Sequence, residues 1–206
     1  MPITAQGYLN CLRSYLHGKD YILPQSAGGQ VLLKEKGFVE QGTREVEYTV
    51  KLDFTGEAIV IRLDLQTQSR GGKIEPAARL FHFLDDNAKP WSKRCDFVLF
   101  NLRGQQIFAY CLEMKSESIP VDTHIQLQSS LDWIKSLHAI IKAYTGQHFT
   151  LRATKYVLTN HPDPSPYLEG SGRYLNRDHT VRHYHYSEIN GMALQDLDNT
   201  NVEIIR

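Results

Sequence analysis

Arg94-Cys95-Asp96-Phe97-Val98-Leu99-Phe100, a break at Asn101-Leu102-Arg103-Gly104-Gln105-Gln106, and Ile107-Phe108-Ala109-Tyr110-Cys111-Leu112-Glu113-Met114-Lys115 form the stretch around which the rest of the chain is organised. Two short apolar runs rich in β-branched and aromatic residues, joined by a Gly-containing break, have the pattern of an antiparallel hairpin. A turn at Gly104-Gln105 sets Leu102 opposite Ile107, and the same register carried outward sets Asp96 opposite Glu113. Directly opposed residues share a face with Cβ atoms roughly 4.5–5.5 Å apart, and like charges there repel. Lys115, two beyond Glu113, joins that face, whereas Phe97, Leu99, Leu112 and Met114 cover the other.

An Asp, a Glu and a Lys thus converge where apolar strands should be buried, and the repulsion between the carboxylates needs an opposing charge. Carboxylate oxygens arriving from two strands make a hard-ligand site suited to Mg²⁺, which is usually held by one or two carboxylates plus substrate phosphates. The ammonium of Lys115 supplies positive charge for an attacking water or a phosphate oxygen. The plainer alternative makes Asp96 a strand-end residue and Glu113 and Lys115 a solvated pair on an edge strand.

An Asp opening one strand and Glu-x-Lys closing the next resembles the PD-(D/E)xK nuclease superfamily, with Cys95 standing where the family's name has Pro. The resemblance implies a restriction-endonuclease-like α/β (α+β) core, a mixed central sheet with flanking helices. It also implies that Asp96 and Glu113 hold Mg²⁺ (Mn²⁺ substituting), that the Met114 carbonyl assists, and that Lys115 orients the hydrolytic water. It covers roughly residues 93–160.

The 206 residues are expected to form one domain, with the core over about 93–160, an N-terminal helix and β-hairpin extension over 1–70 and a C-terminal extension over 161–206. Hydrophobic residues make up 41% and the formal net charge is zero, so any nucleic-acid contact must come from local patches. Cys11, Cys95 and Cys111 are odd in number, which points to a reducing cytoplasm. No apolar run approaches the roughly 20 residues needed to span a bilayer, so no membrane partner is expected.

Thr4 to His17 has a helical apolar stripe, with Thr4 as N-cap and Gly18 as a stop. Val46 to Phe54 alternates apolar and polar residues, Thr55-Gly56-Glu57 reads as a turn, and Ala58 to Leu65 as its partner strand, which would make a second hairpin. Ser69 to Lys73 is a flexible basic loop without the spacing of a phosphate-binding loop, and Pro76 opens a short helix through Leu84. The resembled nucleases often add an upstream acidic residue; Glu35, Glu40 and Glu75 are candidates among which the sequence does not choose.

Downstream, Asp122 or Thr123 caps a long helix with a wide apolar stripe from Ile125 to Ile141, stopping at Gly146. Gln126 in its first turns matches the Gln-bearing helix of several families of the resembled superfamily; the match places it by the active site, the alternative in solvent. Thr150 to Thr159 reads as the next strand. In Arg177 to Tyr186, His183 and His185 share a strand face, ligand-like for zinc but without a third ligand at suitable spacing, and the Arg and Tyr beside them could stack on bases, so the stretch reads instead as a polar strand face lining a substrate groove.

The expected activity is metal-dependent endonucleolytic hydrolysis of DNA, of restriction or antiphage type, with RNA as the alternative substrate. A homodimer, or a larger partner such as an ATPase, would supply specificity. A non-catalytic nucleic-acid or protein binding module of the same fold is the competing expectation.

Overall fold

The computed structural model describes residues 3–16, 22–23, 29–39, 44–63, 90–116 and 118–206. The expectations placed on residues 69–73 and 76–84, on Glu40 and on Glu75 lie outside them.

The Gly104-Gln105 turn forms with the expected register. Strand β4 (Phe97–Arg103) runs antiparallel to β5 (Gln106–Lys115), with Leu102 opposite Ile107 and Phe97 opposite Leu112. Gly104 supplies the left-handed backbone that so tight a turn demands, at φ 59°. Helix α2 (Thr123–Thr145) follows and ends at left-handed Gly146, and the chain returns as β6 (Leu151–Thr159), parallel to β5.

The sheet extends beyond this core on both sides. Its strand order is β3 (Ala58–Arg62), β4, β5, β6, β8 (Asp178–His185), β7 (Tyr174–Leu175), and β10 (Glu203–Ile205) pairs with the start of β6. Strands β5, β6 and β8 are parallel; the pairs β3/β4, β4/β5 and β7/β8 are antiparallel, so the sheet is mixed.

The second hairpin pairs differently from the expectation. Strand β2 (Arg44–Asp53) pairs not with Ala58–Arg62 but with β1 (Gln30–Val39), Leu33 opposite Val50, and on its other edge with β9 (Met192–Ala193). The physical reason lies in burial. Ala58, Ile59, Val60 and Ile61 are all buried, two on each face, as a strand interior to a layered sheet requires, whereas β1 and β2 both alternate buried and exposed. Thr55-Gly56-Glu57 is therefore a crossover between sheets. Asn101 of β4 anchors it, its Nδ2 donating to the Thr55 and Glu57 carbonyls.

Three layers result. Helix α1 (Ala5–Tyr15), capped by Thr4 as expected, and α2 cover one face of the large sheet, packing Tyr8, Leu9, Leu127, Leu131 and Ile134 against Val98, Phe100, Cys111 and Val157. The three-stranded sheet covers the other, with Val31, Leu33, Val50 and Leu52 against Leu99, Leu112 and Tyr156. No helix among the described residues is long and apolar enough to cross a membrane.

Candidate active site

The parallel strands β5, β6 and β8 end side by side, with Lys115, Thr159 and His185 in one row. In open α/β sheets ligands favour the crevice beyond such carboxyl ends. The start of antiparallel β4 brings Asp96 to the same edge.

Asp96 lies one step beyond the last ladder pair, and side chains continue the pairing there. The Asp96 N–H donates to Glu113 Oε2 at 3.1 Å, and the Met114 N–H donates to Asp96 Oδ2 at 2.6 Å. Asp96 is 6% exposed and Glu113 fully buried. Glu113 Oε1 forms an ion pair with Lys115 Nζ, whose side chain is mostly buried. The Lys115 carbonyl accepts from Asn160 on the β6 side, whereas the Met114 N–H points toward β4. The carbonyl of a strand residue points to the same side as its N–H, so the Met114 carbonyl faces the start of β4.

The electrostatics follow from two buried negative charges beside one positive charge. Burial, the adjacent Glu113 and then Glu35 push the Asp96 carboxyl well above the ordinary carboxylate range. Burial pushes Glu113 up to about 8, against the downward pull of Lys115. Burial works against the Lys115 ammonium, but Glu113 and Asp96 outweigh it and hold its pKa above the usual lysine value. Without a further cation the carboxyl pair holds a proton at neutral pH.

The helix is fastened to this edge. The Cys95 N–H donates to Ser130 Oγ at 2.7 Å, and Ser130 donates to the Gln126 carbonyl at 2.9 Å. Gln126 sits one turn earlier on that face, its Nε2 3.4 Å from the Arg94 carbonyl. Gln126 and Lys115 line one open cleft with Lys93, Arg94 and Asp122. Of the cationic side chains lining it, Lys93 is paired with Asp122 and Lys115 with Glu113.

Of the three upstream acidic candidates, Glu35 is the one among the described residues. It lies opposite Tyr48 on the β1/β2 hairpin, and its carboxylate is 3.5 Å from Arg62 Nη2. The histidines of β8 do not form the expected polar face. His183 is buried in line with Val181 under α2, with burial pushing its pKa down to about 4, and His185 accepts from Ser187 N–H to cap the single helical turn Tyr186–Ile189. A side chain aligned with the core-facing residues of a parallel strand loses contact with solvent whatever its polarity.

Among the described residues no group of three or more His, Cys, Asp and Glu side chains is arranged to hold a metal ion. What the edge offers is two carboxylates and a carbonyl, a donor set that suits Mg²⁺, since that ion keeps several waters and takes substrate phosphate oxygens as further ligands. One residue escaped sequence reasoning. Ser130 reads as an ordinary polar residue of the helix, though its spacing of four from Gln126 puts both on one face.

No known protein family matches the chain, and neither a curated protein nor a solved structure matches it significantly.

Proposed function

We propose that the chain is a divalent-metal-dependent phosphodiesterase that cleaves DNA, with Asp96 and Glu113 as the carboxylates that would hold Mg²⁺ and the Met114 carbonyl beside them. The observation that carries this reading is the burial of Asp96 and Glu113 against each other with a single ammonium, paired with Glu113, for two carboxylates. Leaving such charge uncompensated in a protein interior is expensive. A cation bound there supplies a Lewis acid for the phosphoryl oxygen and lowers the pKa of water. Lys115 pairs with Glu113 and presents a positive charge to the cleft, where it positions water and offsets charge building up on the phosphate. Gln126, Lys93 and Arg94 face the same cleft and contact the nucleic-acid backbone. The order strand, strand, helix, strand of β4, β5, α2 and β6 is the one the PD-(D/E)xK resemblance calls for and adds support.

The test is cleavage of plasmid, linear duplex, single-stranded DNA and tRNA with Mg²⁺, Mn²⁺ or EDTA, by wild type and by Asp96→Asn. Metal-dependent cleavage lost in the variant is the expected result, and tRNA is included because RNA presents the same phosphodiester to the same side chains. One observation favours a non-catalytic binding module: both Glu113 oxygens already have protein partners. Nucleic-acid binding insensitive to EDTA, with no cleavage under any condition, is the outcome that selects it.

A further inference from the structure

We propose that the Tyr186 hydroxyl is a substrate-contacting group of this site, donating a hydrogen bond to a phosphate oxygen of the bound nucleic acid. The inference rests on the nuclease reading and extends it to a residue outside the Asp, Glu, Lys set.

Tyr186 follows directly on His185, the last residue of β8 and the end of the row that starts at Lys115. Its side chain turns to the opposite face from His185, into the core shared with the β1/β2 hairpin. There its ring lies against Tyr48 with centroids 5.8 Å apart, and Tyr48 is the residue directly opposite Glu35. The phenol therefore reaches the same edge from the hairpin side that Lys115 and Gln126 reach from the helix side. The charges of Asp96, Glu35 and Glu113 all act on its hydroxyl, after burial itself, to raise its pKa.

The residue is 7% exposed, and its hydroxyl has no hydrogen-bond partner among the described residues. Other buried tyrosines of this face are satisfied: Tyr156 donates to the Leu197 carbonyl at 3.1 Å, and Tyr184 pairs with Asp198. Tyr110 shares the lack of a partner, but it lies mid-strand, under the influence of Arg103 rather than of the carboxylates. A buried hydroxyl without a partner forfeits the hydrogen bonds it makes in water. At this edge the missing acceptor is an oxygen that arrives with the ligand. A phosphate oxygen fits, because a neutral phenol donates to an anion among carboxylates without adding charge.

Tyr186→Phe keeps the ring against Tyr48 and removes only the donor. Three measurements on wild type and Tyr186→Phe test the proposal: apo melting temperature, affinity for a labelled DNA duplex in Ca²⁺, and single-turnover cleavage in Mg²⁺. The expected result is an apo melting temperature equal to or above wild type, with cleavage slowed by about 10- to 100-fold, below the 10²–10³ for loss of a dedicated oxyanion donor. If wild type binds but does not cleave, the catalytic reading fails on its own, and weaker binding by Tyr186→Phe still supports the contact. Equal binding and equal cleavage overturn the proposal. So does a clear drop in apo melting temperature with activity falling in proportion to unfolding, which makes Tyr186 structural. Wild type that neither binds nor cleaves overturns this inference and the nuclease reading together.

Discussion

The backbone N–H of Asp96 donates to the carboxylate of Glu113 at 3.1 Å, so each of these acids sits in the hydrogen-bonding frame of the hairpin that carries the other. The pair is built into the strand ends rather than hung from loops, which fixes its geometry before any ligand arrives.

Stability without metal should fall as pH rises. The native Glu113 carboxyl keeps its proton up to about 8, against an ordinary value of 4.5, so the native state binds more protons than the unfolded state in that window. Its contribution is complete below the ordinary value and is lost as pH climbs through the native one; Asp96, raised in the same direction, adds to the slope. The expected loss is on the order of a few kcal/mol, since one pKa unit corresponds to about 1.4 kcal/mol. Melting curves in EDTA across this window should show the decline in wild type and a flatter line for Glu113→Gln. Added Mg²⁺ should restore wild type at the alkaline end. Parallel slopes for the two proteins would contradict the assignment.

Lys115→Ala should retain nucleic-acid binding and cleave far more slowly, because its charge acts on the reacting groups rather than on the ion. Lys115→Arg should recover only part of the rate, since a planar guanidinium presents its donors as a rigid fork. Single-turnover rates and Mg²⁺ titrations on the same three proteins check this, and a Lys115→Ala rate equal to wild type would remove Lys115 from the mechanism.

Two residues one turn apart on α2 should behave differently. Ser130→Ala strands the buried Cys95 N–H, a loss of about 1–3 kcal/mol seen as a lower melting temperature. Gln126→Ala gives up only a long 3.4 Å hydrogen bond and should cost less than about 0.5 kcal/mol while weakening duplex affinity. Thermal melts and duplex titrations on both variants separate anchoring from substrate contact.

Away from the site, Lys155 Nζ lies 2.8 Å from Asp178 Oδ2 and 3.1 Å from Gln128 Oε1 in a mostly buried setting. Asp178→Ala should destabilise by about 2 kcal/mol, below the 3–5 of a fully buried pair because Asp178 keeps some solvent contact. The double variant Lys155→Met, Asp178→Leu should recover most of that loss in urea denaturation. A double variant no more stable than the single would mean that the charges themselves are required.

The hairpin was legible residue by residue because its evidence is local: a glycine at the turn, alternation on both arms, and a register that the turn dictates. The partner of β2 was not, because adjacency in sequence favours Ala58–Arg62, and only the two-sided burial of that segment separates it from a half-exposed hairpin arm. Continuous Ala58-Ile59-Val60-Ile61 against alternating Val46 to Leu52 was the available signal. Asp96, Glu113 and Lys115 could be grouped from register alone. Glu35 and Tyr186 could not, since their approach to the carboxylates depends on how the hairpin folds over the sheet. The histidines misled because alternation places two side chains on a common face without saying whether that face is wet.

The parallel pairing of Leu52 with Met192 has a bearing on how the molecule is made. A three-stranded sheet that joins Leu52 to Met192 cannot close until the chain has been synthesised past residue 193. Before then β1 and β2 form an isolated two-stranded ribbon, which is marginal in water. Such long-range closure is slow, so the layer that carries Glu35 should be the last to settle onto the large sheet. A nascent chain would then acquire the Asp96–Glu113 pair before the layer that carries Glu35 closes over the opposite face of the sheet.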